Sequence, residues 1–461
     1  MLISFYLEFI WLLLIFLLPI SFSPFVVSIW QIKYTLLISL TQILALLWLL
    51  KILFAGAEQS PNQKKIKILV PFLIFISLLT LTLLFSERPE ISFWGTYQRK
   101  MGYLTWLHCF IFFLVLFFNL KSSKQIKRIV WTIFFSSLVV VFYGILQILG
   151  LDPIIWIENP LLTKRVFSFT GQPNFLASFL LLTLPLIFWL FLEEKKFTLL
   201  NPPKEERQSR YLTGFTLLNP QKEERQSRYL TGFIVKSLIF IGFVFSLICL
   251  FLTGSRGGLV GLLAGLFFFL IFKAIISQKK KLLFFTLLVL FVSLSLVVFL
   301  NFTDPLKDKK IENPFLSRFS SLLHLRRPGE TAQYRLVLWQ NAWSLIKRKP
   351  VFGYGLETQF FQFIKLFKPQ EAVLEEPQLY ADRAHNDFLD MAVQTGLLGF
   401  FGYLLMIGYV FFVGFKKRSL YLLTALFSYL VSLQFSFHDH IGLLYFWLYF
   451  ALIVLPNHFK N

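Results

Sequence analysis

Charge is scarce in this chain. Only 15% of its 461 residues are Asp, Glu, Lys or Arg, where a soluble domain carries about 25%. Acids are scarcer still, 24 against 45 Lys and Arg. Cysteine is nearly absent: Cys109 and Cys249 both fall inside apolar stretches, which excludes a disulfide framework and a Cys-based metal site. The N-terminus lacks the basic start and small-residue cleavage site of a signal peptide, so it reads as a first permanent span. What fills the space is apolar: 56% of the residues are hydrophobic and 59 are Phe.

Those residues gather in runs of roughly 20 separated by short polar breaks, and about 20 apolar residues in a helix cross about 30 Å of hydrocarbon. The expected class is therefore all-α and polytopic, which excludes a soluble enzyme, a secreted scaffold and a DNA-binding protein despite the net charge of +21. Twelve spans are predicted, near 5–20, 32–52, 66–85, 103–120, 129–150, 174–192, 234–252, 257–275, 282–300, 388–413, 419–435 and 441–455. The expected division is helices 1–9 over 1–300, a large outer (periplasmic) helical segment over 301–387 between spans 9 and 10, and helices 10–12 over 388–461.

Orientation follows from Lys and Arg in short loops. With the N-terminus cytoplasmic, the inner side holds 25 of them and the short outer loops seven, Lys33, Arg88, Arg99, Lys100, Lys164, Arg165 and Arg256. Both termini are thus expected inside and 301–387 outside. Much of the positive charge is an orientation signal rather than a nucleic-acid footprint. The inner loop 193–233 contains a tandem duplication: Phe197–Gly214 is repeated as Phe215–Gly232 with Pro203 replaced by Gln221. Surface loops absorb such insertions cheaply, and no role in a site is assigned to it.

The outer segment is uneven in charge. Lys307 to Lys349 contains ten Lys or Arg and three acids, a candidate surface for anionic headgroups or simply a solvated face. Within it Gln333–Ile346 has helical periodicity, with Arg335, Trp339, Ala342, Trp343 and Ile346 near one face. Pro350 ends it and Gly353-Tyr354-Gly355 follows as a turn. Then Asp382-Arg383-Ala384-His385-Asn386-Asp387 places an imidazole beside carboxylates and a guanidinium at the mouth of the tenth span. His438-Asp439-His440 has too few donors for a metal site, and His108, about one turn into the fourth span, reads as an interior hydrogen-bonding residue.

Four stretches together resemble the superfamily of O-antigen ligases and O-antigen polymerases, bacterial envelope glycosyltransferases. They are Thr253-Gly254-Ser255-Arg256-Gly257-Gly258; Arg335 and Trp339 followed by Pro350-Val351-Phe352-Gly353-Tyr354-Gly355; His385-Asn386 followed by Gln394-Thr395-Gly396-Leu397-Leu398-Gly399; and Gly171-Gln172-Pro173-Asn174-Phe175-Leu176-Ala177 with the weaker Gly95-Thr96-Tyr97-Gln98-Arg99 upstream. Their order on a twelve-span frame carries the resemblance from about residue 86 to 415.

The resemblance implies transfer of a glycan from undecaprenyl diphosphate to a lipid A-core, glycan or protein acceptor at the outer face of the bacterial inner membrane, with no metal or other cofactor. The residue types fit that chemistry. A lipid diphosphate is already a good leaving group, so what remains to be supplied is a base for the acceptor hydroxyl and cations for the diphosphate. His385 is the candidate base, and Arg256 and Arg335 are the candidate diphosphate clamp. Arg99 and Arg165 are further cations, and Asp387 is a candidate for orienting the imidazole. Polymerase and protein O-oligosaccharyltransferase activity remain open within the superfamily. A transporter is the rival from another class, disfavoured because ionisable residues gather at the outer mouth rather than at mid-membrane; an inactive scaffold of the same fold is the third reading.

Overall fold

Each of the twelve predicted apolar stretches is helical in the computed structural model, which describes residues 2–23, 29–55, 63–154, 165–193, 220–303, 331–366 and 382–455. The helices are α1 Leu2–Ile20, α2 Ile29–Ala55, α3 Gln63–Leu84, the short α4 Pro89–Trp94, α5 Tyr103–Asn119, α6 Ser123–Ile148, α7 Pro173–Glu193, α8 Pro220–Leu252, α9 Arg256–Ile276, α10 Lys280–Thr303, α11 Thr331–Arg348, α12 Gln359–Leu366, α13 Asp387–Lys416, α14 Leu420–Ser432 and α15 His440–Val454. Eight are long and apolar enough to span a bilayer, and α5, α14 and α15 are shorter apolar helices. No strand occurs among the described residues. Lys164, most of the tandem duplication and the 304–330 part of the basic stretch lie outside them.

The bundle is assembled around α15, every residue of which is buried. It packs on α5, α7 and α13, while α1 packs on α2 and α6, and α3 on α13. Tyr403, Phe446, Trp447 and Phe450 form part of an aromatic interior whose rings sit 4.1–6.5 Å apart, the range of favourable ring pairs. Outward faces are apolar too, as on α10, where Phe284, Phe285, Val289 and Phe291 are exposed. A surface that apolar is stable against lipid, not water. The few charges inside helices are answered: Glu8 receives Arg128 at 2.6 Å, Lys51 donates to Asn119 Oδ1 at 2.8 Å, and Lys33 caps the end of α1 through the carbonyls of Leu18 and Ser21.

Two local devices shape one end of the bundle. The first is a glycine face on α9. A Cβ at Gly257 would press on Phe435, one at Gly258 on Ala177, and one at Gly265 on Ser428, so α9 lies directly against α7 and α14. The second is a break in α13. Gly396 has φ +64°, and the carbonyls of Val393 and Gln394 accept from the amides of Tyr354 and Gly355, while Leu397 and Leu398 donate to Pro350 and Val351. The Gly-Tyr-Gly turn thus supplies the hydrogen bonds that the interrupted helix loses. A small second core, built from Tyr334, Leu338, Ala342, Leu345 and Ile346 with Tyr354 and Phe363, seats α11 and α12 on α13. On α11 Trp343 is exposed, and Arg335 and Trp339 sit half-buried at the edge of this core.

Candidate functional site

Four helices begin at this end, α7, α9, α13 and α15, so their partial positive ends point the same way. Ser255 caps α9 by accepting from the amide of Gly258, Asn386 caps α13 through the amides of Phe388 and Leu389, and Asp439 caps α15 through Ile441 and Gly442. The turn Phe435-Ser436-Phe437 between α14 and α15 runs among them, and its two rings organise the arginines.

Around Phe437 the guanidinium of Arg383 lies 4.0 Å and that of Arg99 4.5 Å from the ring centroid, within cation–π range. The His385 ring is centred 5.6 Å away. Asp382 Oδ2 accepts from Arg99 at 2.7 Å and from Arg383 at 3.0 Å. Arg383 also reaches Glu357 Oε1 at 3.1 Å, and Glu357 Oε2 accepts from Thr96 at 2.9 Å. His385 itself has φ +51°, a left-handed conformation uncommon outside glycine. It is held from both sides: Trp339 Nε1 donates to the Ala384 carbonyl, the Ala384 amide donates to Asp390, and Asn386 caps α13.

Around Phe435 lie Arg335 and the start of α9. Arg335 lies 5.8 Å over its ring, and Gly257, next to Arg256, packs on its Cβ. Arg165 donates to the Thr253 carbonyl at 2.8 Å and to Asn174 Oδ1 at 3.4 Å, and Ser255 donates to that same Asn174 oxygen at 2.9 Å. Arg165 is therefore engaged in fixing the α8–α9 turn against α7.

Electrostatics separate these groups. Burial, and then Arg335, Arg383 and Arg99 against the opposing pull of Asp382, hold the His385 imidazole down to about 4, so the ring is neutral at ordinary pH. Although burial pushes it up, the Asp382 carboxyl is held well below its usual range by Arg383 and Arg99. Arg383, despite burial, is kept protonated by Asp382 and Glu357.

Of the residues singled out from sequence, His385, Arg335, Arg256, Arg99 and Arg165 come together at this end. Asp387 also lies here but turns away from the expected partner: its Oδ2 accepts from Tyr403 at 2.9 Å and lies 3.5 Å from His438 Nε2. The i, i+2 relation to His385 sends the two side chains in different directions. Glu357, Phe435 and Phe437 were missed, and Arg383 was noted only as the guanidinium ahead of His385. The Asp-Arg pair just ahead of His385 was the one available signal; two Phe among 59 carry none. His108 does donate inside its helix, to Leu104 at 2.8 Å. Among the described residues no group of three His, Cys, Asp or Glu is arranged to hold a metal ion.

Fold and site together define a polytopic helical membrane protein with an imidazole set among guanidiniums at one end. Residues 241–404 match the family described as O-antigen ligase, a span that includes Arg256, Arg335 and His385. The match covers about a third of the chain, and eight of the described helices are long and apolar enough to cross a membrane. The chain is also similar to an uncharacterized protein of Haemophilus influenzae, 28% identical over 171 residues that cover 36% of this chain and 41% of that protein.

Proposed function

We propose that this protein transfers a glycan from undecaprenyl diphosphate to an acceptor hydroxyl of the lipid A-core type at the outer face of the inner membrane, without a metal, using His385 as base and Arg256 and Arg335 as diphosphate clamp. The match of residues 241–404 to the O-antigen ligase family supports ligase- or polymerase-type transfer in general. The observation that carries the finer reading is one neutral, half-buried imidazole sharing the Phe437 ring with Arg99, next to Phe435 with Arg335 over its ring, at the end of the bundle where Arg256 opens α9. In this proposal both termini are cytoplasmic, and 301–387 forms the outer segment over the site.

The chemistry follows from the charges. The acceptor oxygen attacks the anomeric carbon, its proton passes to His385, and the bond from that carbon to the diphosphate oxygen breaks with its electron pair leaving on the phosphate. Guanidiniums bind phosphate oxygens bidentately and stay charged, so they favour the state in which negative charge has grown. A base held near 4 is weak; burial depresses it first, and the bound diphosphate offsets only the further share that the cations contribute. An apolar cavity of about 240 Å³ between α7, α8, α9 and α14, lined by Leu181, Phe188, Leu247, Leu262 and Phe269, begins about 9 Å below Arg256 along α9. It offers an apolar berth for the isoprenoid chain of such a donor.

The test is transfer in vitro with purified protein, undecaprenyl-diphosphate-linked glycan and a panel of lipid, glycan and protein acceptors, in EDTA. Transfer that persists in chelator and collapses in His385→Ala and Arg335→Ala supports the reading, and the productive acceptor separates ligase from polymerase and from protein glycosylation. Wild-type rates in His385→Ala overturn the base assignment.

A further inference from the structure

We infer that Glu357, acting through Arg383, is a positioning residue for His385, and that Arg383 is committed to the protein and not to the donor diphosphate. This rests on the reading of His385 as the base.

The contacts around Arg383 close into a ring. Thr96 donates to one oxygen of Glu357, Arg383 donates to the other, Arg383 donates again to Asp382, and the same Asp382 oxygen receives Arg99. Thr96 and Arg99 belong to one loop, so the circuit returns to where it began and ties that loop to the segment entering α13. Glu357 also reaches the break in α13, because its amide donates to Gln394 Oε1 at 3.1 Å. Three separate chain segments thus meet at one carboxylate.

The two halves of the ring differ in access. The Arg383 and Glu357 side chains are 6% and 2% exposed, whereas those of Arg99 and Asp382 are 27% and 25% exposed. A donor phosphate can compete with Asp382 for Arg99 at the open side. It cannot compete for Arg383, whose charge is already answered by two carboxylates and whose plane lies against Phe437. The Arg383 Nε serves Asp382 and its Nη2 serves Glu357, so both of these charge-assisted bonds are internal.

His385 lies two residues beyond Arg383 in a left-handed backbone, and it shares the Phe437 ring with Arg383. Its downstream side is fixed by the Asn386 cap. Its upstream side is fixed by the Ala384 contacts and by Arg383, which Glu357 anchors. Removing the Glu357 charge leaves Arg383 half-paired in a dry position, and the shift needed to relieve it is transmitted to the adjacent imidazole.

The experiment compares full-length wild type, Glu357→Gln, Glu357→Asp and Arg383→Lys with two readouts. One is the rate of carbethoxylation of His385 by diethyl pyrocarbonate, mapped by mass spectrometry, with buried His438 as internal control. The other is steady-state transfer with donor KM and kcat separated. Positioning predicts that His385 in Glu357→Gln reacts at least about threefold faster while His438 is unchanged, because a local opening exposes only the nearer ring. It predicts kcat down at least about tenfold with donor KM within about twofold, the signature of a lost transition-state contribution, and partial recovery in Glu357→Asp. Unchanged His385 reactivity overturns the inference, as does faster reaction of both histidines, which marks general loosening. A rise in donor KM equal to that in Arg335→Ala overturns the claim that the pair stands apart from the diphosphate. The modification rates do not depend on transfer, so failure of the proposed activity leaves this result readable.

Discussion

Two histidines at this end of the bundle lead different lives. His385 sits half-buried at the rim with guanidiniums around it, its backbone in a left-handed turn. His438 is 4% exposed and boxed by Trp106, Tyr403, Tyr429 and Phe446. Both of its nitrogens are occupied, Nε2 with Tyr403 at 3.0 Å and Nδ1 with Tyr429 at 2.8 Å. With Tyr403 donating to Asp387, the consistent assignment puts the proton on Nε2 and lets Nδ1 accept from Tyr429. A base needs a free nitrogen and an approach for substrate. His438 offers neither, and its polarity serves the packing of α13, α14 and α15.

The largest effect is expected from exchanging the two. His385→Ala should lower kcat by about 10² to 10⁴-fold, the usual contribution of a general base, with little change in melting temperature. His438→Phe should do the reverse. It leaves the Tyr429 hydroxyl without its acceptor and removes the hydrogen bond that Tyr403 accepts, costing about 1–3 kcal/mol per orphaned group, while transfer per folded molecule falls far less. Parallel kinetics and thermal unfolding of the two variants check the pair, and equal kinetic losses would erase the distinction.

Next in size is the response to the surrounding cations. Because His385 is held down to about 4 in the free protein, kcat/KM should stay level from neutral pH down toward 5 and fall only as pH drops through about 4, since the protonated ring is not a base. The limb in kcat, which reports the donor complex, should lie higher by about one pH unit or more, because the bound diphosphate offsets the arginines. Arg335→Gln should move the kcat/KM limb upward, as one depressing charge is gone, and raise donor KM by about tenfold or more. Coincident limbs in kcat and kcat/KM would mean that the donor does not approach His385.

Much of this end was legible in the sequence, and the boundary has physical reasons. Twelve apolar runs became twelve helices because run length and the need to satisfy backbone polar groups in lipid leave few alternatives. Gly396 and Gly353-Tyr354-Gly355 stood out as motifs, but their joint role, one mending the break in the other, depends on contacts between residues about 40 apart. Arg335 and Arg256 were legible as candidate cations. Phe435, which lies under Arg335, and Phe437, which lies under Arg99 and Arg383, look like every other Phe. The helical period of α11 was likewise evident, but which side meets α13 is decided by Tyr354 and Phe363 arriving from elsewhere.

Gly396→Ala tests whether the scaffold under His385 is separable from that under His438. A Cβ there would collide with the Val351 carbonyl, and φ +64° disfavours any side chain. The strain is about 1–3 kcal/mol, and it should displace the Gly-Tyr-Gly turn and, through Glu357, the His385 side. We expect kcat reduced about tenfold, a loss of about 1.4 kcal/mol at the transition state, with the near-ultraviolet signature of the aromatic box around His438 retained. Loss of that signature would show the two regions to be one cooperative unit.

The smallest effect is assigned to Asp387, and it discriminates best because the sequence suggested the opposite. If Asp387 oriented His385, Asp387→Asn would mimic a base with a lost partner, lowering kcat by orders of magnitude and shifting the acid limb down, as removal of a nearby negative charge must. The geometry gives it to Tyr403 and His438 instead. Asparagine keeps an oxygen that accepts from the Tyr403 hydroxyl, so the expected cost is about 1 kcal/mol of stability, the net worth of one hydrogen bond. The pH profile should not move, and kcat should stay within about threefold of wild type, since a buried carboxylate facing the other histidine contributes to folding and not to proton transfer.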